Sequence, residues 1–111
     1  MAATFDLALA RFVEQTSHIV AVHDLATKWR IELRDDYLVD LFYNESLSKY
    51  GYAIILSGKR IIGWDNAPHH PKLSNFPHHV HYEDGRIEAS EMTGDPELDL
   101  LMVSRVVNAL F

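Results

Sequence analysis

The sequence contains no cysteine. That absence excludes a disulfide framework, a thiolate zinc site, an iron–sulfur cluster and a cysteine nucleophile. Glycine is sparse: five residues, at positions 51, 58, 63, 85 and 94, form no Gly-rich phosphate loop. No serine stands in a nucleophile-elbow context. No apolar run approaches the roughly 20 residues needed to span a bilayer. Asp6 and Arg11 interrupt the apolar N-terminal stretch, which lacks the cationic start and apolar core of a signal peptide. The expected compartment is the cytoplasm. Positive charge is scarce too: 10 Lys and Arg stand against 16 Asp and Glu, a net charge of −6. Such a balance excludes a general nucleic-acid coat protein.

What is present is an ordinary globular composition, 48% hydrophobic and 23% charged, in a chain of 111 residues. That length suits a single domain spanning 1–111. Thr4 is placed to cap a helix over roughly 5–16, where Phe5, Leu9, Phe12 and Val13 form one apolar stripe. Residues 18–25 read as extended. In 28–35 the alternation is clean, with Lys28, Arg30, Glu32 and Arg34 on one face and Trp29, Ile31 and Leu33 on the other. Asp35-Asp36 is a turn, and 37–43 continues as a strand. Residues 50–56 and 60–64 are two further strands joined at Ser57-Gly58-Lys59.

Pro68, Pro71 and Pro77 make 65–77 a stiff loop. The chain resumes as a strand at 79–83, turns at Asp84-Gly85 and returns through 86–90. Asp95 caps a last helix with Pro96 at its first position and an apolar stripe of Leu98, Leu101, Met102 and Val106. The predicted architecture is α+β: a single antiparallel sheet of about five to seven strands with an N-terminal and a C-terminal helix. An edge strand of that sheet offers a route to a homodimer.

Charge is unevenly distributed. Residues 1–49 hold five basic and eight acidic side chains, residues 83–111 two and seven, but residues 50–82 hold Lys59, Arg60 and Lys72 against Asp65 alone. The same cationic middle carries five of the seven histidines: His69, His70, His78, His79 and His81. Turn chemistry does not demand imidazole, since Asn, Asp, Gly and Ser serve loops better. Imidazole supplies a neutral metal ligand and a proton carrier near neutral pH.

His79 and His81, two apart on a strand, project to one face and can share an ion. One of His69 or His70, with Asp65 or His78, completes four ligands around a divalent transition metal such as zinc. The metal-free alternative uses two imidazoles as acid and base on an RNA phosphodiester, whose 2′-hydroxyl is an internal nucleophile. Lys59, Arg60 or Lys72 then stabilises phosphate charge. His18 and His23 straddle an apolar strand and read as structural, as do the tryptophans and tyrosines at strand periodicity.

The run Trp64-Asp65-Asn66-Ala67-Pro68-His69-His70-Pro71, followed by Phe76-Pro77-His78-His79-x-His81, resembles the signature of the TumE family. These are small prokaryotic proteins encoded beside a helix-turn-helix partner and described as toxins of toxin–antitoxin pairs. Val80 departs from the pattern, standing where family members often carry a basic residue. The acidic helix from Pro96 lies outside the motif. The resemblance implies a cytoplasmic toxin held inactive by a cognate helix-turn-helix antitoxin.

Joined to the histidine chemistry, it points to action on RNA. Asp65 orients an imidazole, His69 or His70 and His79 or His81 divide acid and base roles, and Asn66 positions the loop or the substrate. Arg60, Lys72 and His78 are the expected substrate contacts. A different class of function keeps the same residues: a non-enzymatic module whose histidines organise a loop that binds a metal or a partner macromolecule.

Overall fold

A computed structural model of the chain describes the backbone of residues 2–111 and the side chains of residues 5–111. Helix α1 (Ala2–Gln15) is followed by seven strands. These are β1 (Ile19–Asp24), β2 (Trp29–Leu33), β3 (Tyr37–Asn44), β4 (Lys49–Leu56), β5 (Lys59–Asp65), β6 (His79–Tyr82) and β7 (Ile87–Ala89). Helix α2 (Pro96–Ala109) ends the order. Each strand pairs antiparallel with the next, so the sheet is a meander in the order β1 to β7. The α+β expectation, one antiparallel sheet with a helix at either end, is what the structure has. No helix among the described residues is long and apolar enough to cross a membrane.

Turn chemistry explains the meander. Asp35 and Asp36 both take positive φ (61° and 65°), as do Ser57 and Gly58 (50° and 82°). Two successive left-handed residues make the hairpin turn whose twist matches that of the strands it joins. The sheet then buries one face. Ile31, Leu33, Val39, Leu41, Tyr52, Ile54, Trp64 and Val80 form one core with Phe5, Ala8, Leu9 and Phe12 of α1 and with Leu100, Val103 and Val107 of α2. Both helices therefore lie on the same side, and the opposite face of the sheet, here the open face, is free of helices.

Two expectations about the helices are corrected. Helix α1 begins at Ala2, so Thr4 lies inside it rather than capping it, and the Thr4 side chain is outside the described residues. In α2 the cap is as expected, with Asp95 accepting from the Glu97 amide and Pro96 in the first turn. Its buried face is different: Pro96, Asp99, Leu100, Val103, Ser104 and Val107. Leu98 is 57% exposed. Apolar residues occur nearly all round this helix, and buried polar contacts mark which side faces inward. Ser104 Oγ meets Thr16 Oγ1 at 2.9 Å. The Asp99 carboxylate accepts from Thr93 N, Thr93 Oγ1 and Gly94 N at 2.8–2.9 Å.

On the open face, Asp40 receives Arg30 through Nε and Nη2 at 2.8 and 2.9 Å, and Lys28 Nζ at 2.8 Å. Burial works against the Asp40 carboxylate, but these hydrogen bonds outweigh it and hold its pKa below the ordinary range. On the core side, the buried Tyr52 hydroxyl has no hydrogen-bond partner among the described residues. Removing an unpaired hydroxyl also removes its desolvation cost. Tyr52→Phe is therefore expected to leave stability unchanged or raise it by about 1 kcal/mol, read from a chemical denaturation midpoint. A clear loss would show that the hydroxyl has a partner.

Candidate metal and phosphate site

The register of β4, β5 and β6 assembles the site. Asp65 lies opposite His79, and Gly63 opposite His81, with Trp64 and Val80 between them turned to the core. The period of two thus sends Asp65, His79 and His81 together to the open face. Asp65 Oδ1 is 3.0 Å from His79 Nε2, and Oδ2 is 3.1 Å from His81 Nε2. The two Nε2 atoms are 3.0 Å apart. His79 Nδ1 lies 3.0 Å from the Pro77 carbonyl oxygen. A carbonyl only accepts, so that contact places a proton on Nδ1 and leaves the Nε2 lone pair of a neutral ring facing Asp65 and His81.

The side chains are progressively buried: Asp65 28% exposed, His81 20% and His79 3%. Burial pushes the His81 pKa down; Asp65 opposes this, while Arg60 and His79 reinforce it. Lone pairs converging on one point in a partly buried site require a cation or a shared proton there. The spacing suits a cation. One oxygen of Asp65 and the two Nε2 atoms lie within 4.8 Å of one another, close enough for two histidines and a carboxylate to hold one ion. The Pro77 carbonyl on the far nitrogen of His79 matches the outer-shell contact that orients a ligating imidazole.

Arg60 reaches this face because of a bulge. Ile54 pairs with Ile62 and Ile55 with Arg60, so Ile61 is the extra residue and Arg60 leaves the face it would otherwise share with Ile62 and Trp64. Its chain then lies over Gly63. A Cβ on Gly63 would stand 3.0 Å from Arg60 Cδ and 3.5 Å from Nη1. Glycine there lets the guanidinium lie beside His81.

Over the cluster sits the proline-rich loop. The ring of His70 meets that of His79 edge-on, centroids 4.9 Å apart, and that of His81 at 6.3 Å. His69, His70, Lys72, Leu73 and Ile87 line a shallow groove continuing outward from the cluster. Asn75, with φ of 62°, pins the loop by donating Nδ2 to the carbonyls of Ser90 and Met92 at 2.7 and 2.9 Å. The Phe76–Pro77 peptide is cis.

A model of the family described as Toxin TumE matches residues 9–110. The chain belongs to the Toxin TumE family. Neither the curated proteins nor the solved structures contain a match to it. The TumE match runs through the acidic helix, so that helix belongs to the family's common extent rather than lying beyond it.

Within the TumE motif the structure separates residues that adjoin in sequence. Asp65, His79 and His81 come together, with His70 above them and Arg60 beside them. His69 stands farther out, its ring 6.4 Å from that of His70. Lys72 is on the rim of the groove. Lys59 instead faces Glu83 at 3.3 Å, both well exposed. Asn66 turns away from the cluster: Oδ1 accepts from Tyr50 N at 3.1 Å and Nδ2 donates to the Ser48 carbonyl at 2.7 Å. It fastens the loop to the β3–β4 turn.

His78 also turns away, its Nδ1 lying 2.8 Å from the Tyr50 hydroxyl. Burial raises the Tyr50 pKa, and Asp99 and Asp65 reinforce the effect, so the phenol stays protonated and shares a hydrogen bond with His78. Val80, between the two histidines of the cluster, is a core residue 3% exposed. The His18 ring lies tilted against that of Phe111, centroids 4.8 Å apart, and His23 Nε2 is 3.3 Å from Glu32 Oε1.

Sequence reasoning missed three contributors. Gly63 had a visible signal, a glycine inside a strand, which marks a close approach. Asn75 and Asp99 had none, because their partners are carbonyls and amides from other segments.

Proposed function

We propose that this member of the TumE toxin family cleaves RNA at the centre formed by Asp65, His79 and His81, with the assistance of one divalent transition-metal ion. The observation that carries the reading is the mutual 3.0–3.1 Å spacing of one carboxylate and two imidazole nitrogens, with His79 oriented from behind by a carbonyl. Asp65, His79 and His81 would hold the ion, which would supply Lewis-acid polarisation of a phosphoryl oxygen.

The chain's own groups do the rest. Arg60 binds a non-bridging phosphate oxygen, a charge-assisted contact beside the centre. His70 lies at the open side of the cluster, where an imidazole takes the 2′-hydroxyl proton or protonates the leaving oxygen. Lys72, along the groove, adds cationic charge for the neighbouring phosphate. The chain acts in the cytoplasm, and a cognate helix-turn-helix antitoxin holds it inactive.

A second reading rests on the same 3.0 Å contact between the imidazoles, which is also an ordinary hydrogen-bond length. Here an imidazolium shared by His79 and His81 and held by Asp65 replaces the ion, and the chemistry is acid–base alone. Metal content separates the two. Untagged protein purified without chelator is expected to carry close to one equivalent of zinc, manganese or nickel, and His79→Gln to carry none while melting close to metal-stripped wild-type protein. Metal-free wild-type protein that still cleaves RNA would establish the acid–base reading instead.

A further inference from the structure

One row of the open face extends from the cluster to an aromatic ring. His79 pairs with Asp65, Asp65 with Gly51, and Gly51 with Phe42. Phe42 lies between Leu41, wholly buried in the core, and Tyr43, whose ring stacks on Phe5 of α1. It therefore projects to the open face, as Asp65 and His79 do. The Phe42 ring is half-buried, and its outer edge borders a cleft at the end of the sheet that runs on to Phe5 and Asp6 of α1.

Gly51 separates Phe42 from Asp65, and its backbone needs no glycine: its φ is not positive, and a Cβ there would meet nothing within 4 Å. Neither a turn nor a close packing contact accounts for the missing side chain. A strand-interior glycine with open space above it marks a place where a ligand approaches the backbone. The result is a trough floored by Gly51, walled by Asp65 and His79 on one side and Phe42 on the other. Adjacent strands are about 4.8 Å apart, so the walls stand about 10 Å from each other.

We infer that this trough is a nucleobase subsite. The nucleoside next to the scissile phosphate lies over Gly51 and stacks its base on Phe42. This rests on the RNA reading of the Asp65 centre. The width fits the reach from a phosphate held at the centre, across a ribose, to a planar base. A face of Phe accepts any base, so the subsite provides affinity and register with little sequence preference. Arg60 binds the phosphate beside the Asp65 centre; Phe42 fixes where along the strand that phosphate lies.

The test is binding of a short oligoribonucleotide made uncleavable by one 2′-deoxy substitution, compared with the same oligonucleotide lacking the base at that nucleotide. Wild-type protein is expected to bind the complete ligand more tightly than the abasic one. Phe42→Leu keeps an apolar side chain and should weaken binding of the complete ligand about tenfold or more while leaving the abasic ligand unaffected. Gly51→Val fills the trough and should do the same at an unchanged melting temperature. Equal loss on both ligands, or no loss on either, overturns the subsite while leaving the RNA reading intact. Failure of wild-type protein to bind either ligand, with metal restored, overturns both.

Discussion

Asp65→Asn is expected to lower the proposed RNA cleavage by about 10²–10⁴-fold and to abolish growth inhibition, with the protein still folded. The carboxylate bridges the two histidines, through Oδ1 to His79 and Oδ2 to His81. Its Oδ1 also accepts the Ala67 amide at 2.9 Å, which starts the loop carrying His70. Asparagine retains that acceptor oxygen, so the loop start survives. What it loses is the negative charge and the second anionic oxygen, the features a cation or an imidazolium requires. Cleavage rate and melting temperature measured on the same preparation check this. A rate within tenfold of wild type would remove Asp65 from the chemistry.

The second large effect is on stability and arises outside the Asp65 cluster. Asp99→Ala is expected to destabilise the protein by about 3 kcal/mol, from the loss of charge-assisted hydrogen bonds and the stranding of donors. In a domain of this size that corresponds to a fall of about 10–20 °C in melting temperature. Asp99 is 1% exposed and closes three contacts with Thr93 and Gly94. Gly94, at φ of 88°, packs against His78, which in turn meets Tyr50. One carboxylate on α2 thus secures the segment behind the histidine loop. Asp99→Asn keeps one acceptor oxygen and should lose less. Thermal unfolding of the two variants decides it, and an alanine variant melting within a few degrees of wild type would contradict the clamp.

How much was legible beforehand follows from the range of each interaction. The alternation of 28–34 and the Asp35-Asp36 turn act between neighbours, so the sequence shows them directly. The shared face of His79 and His81 follows from the period of a strand and needs no partner. Asp65 was a candidate by composition, but its place opposite His79 depends on pairing across the loop between β5 and β6. Arg60 was legible as a charge; its access to the open face depends on a bulge at Ile61 that no local pattern announces. Asn66 and His78 stand next to site residues in sequence, yet their side chains fasten the scaffold, because alternate positions on an extended chain face opposite ways. The buried side of α2 was misjudged for the opposite reason. Apolar side chains there are too plentiful to mark a face, and the deciding groups, Asp99 and Ser104, are polar.

The most direct test of the account uses two oligoribonucleotides that differ by one oxygen, the 2′-hydroxyl at the scissile nucleotide, with purified metal-loaded protein and Asp65→Asn beside it. Wild-type protein should cut the all-ribose strand, leave the 2′-deoxy strand intact at that position, and lose the cut when Asp65 is replaced. Intact RNA under conditions where the protein arrests growth, or equal cutting by Asp65→Asn, would contradict an RNA-cleaving centre at Asp65, His79 and His81.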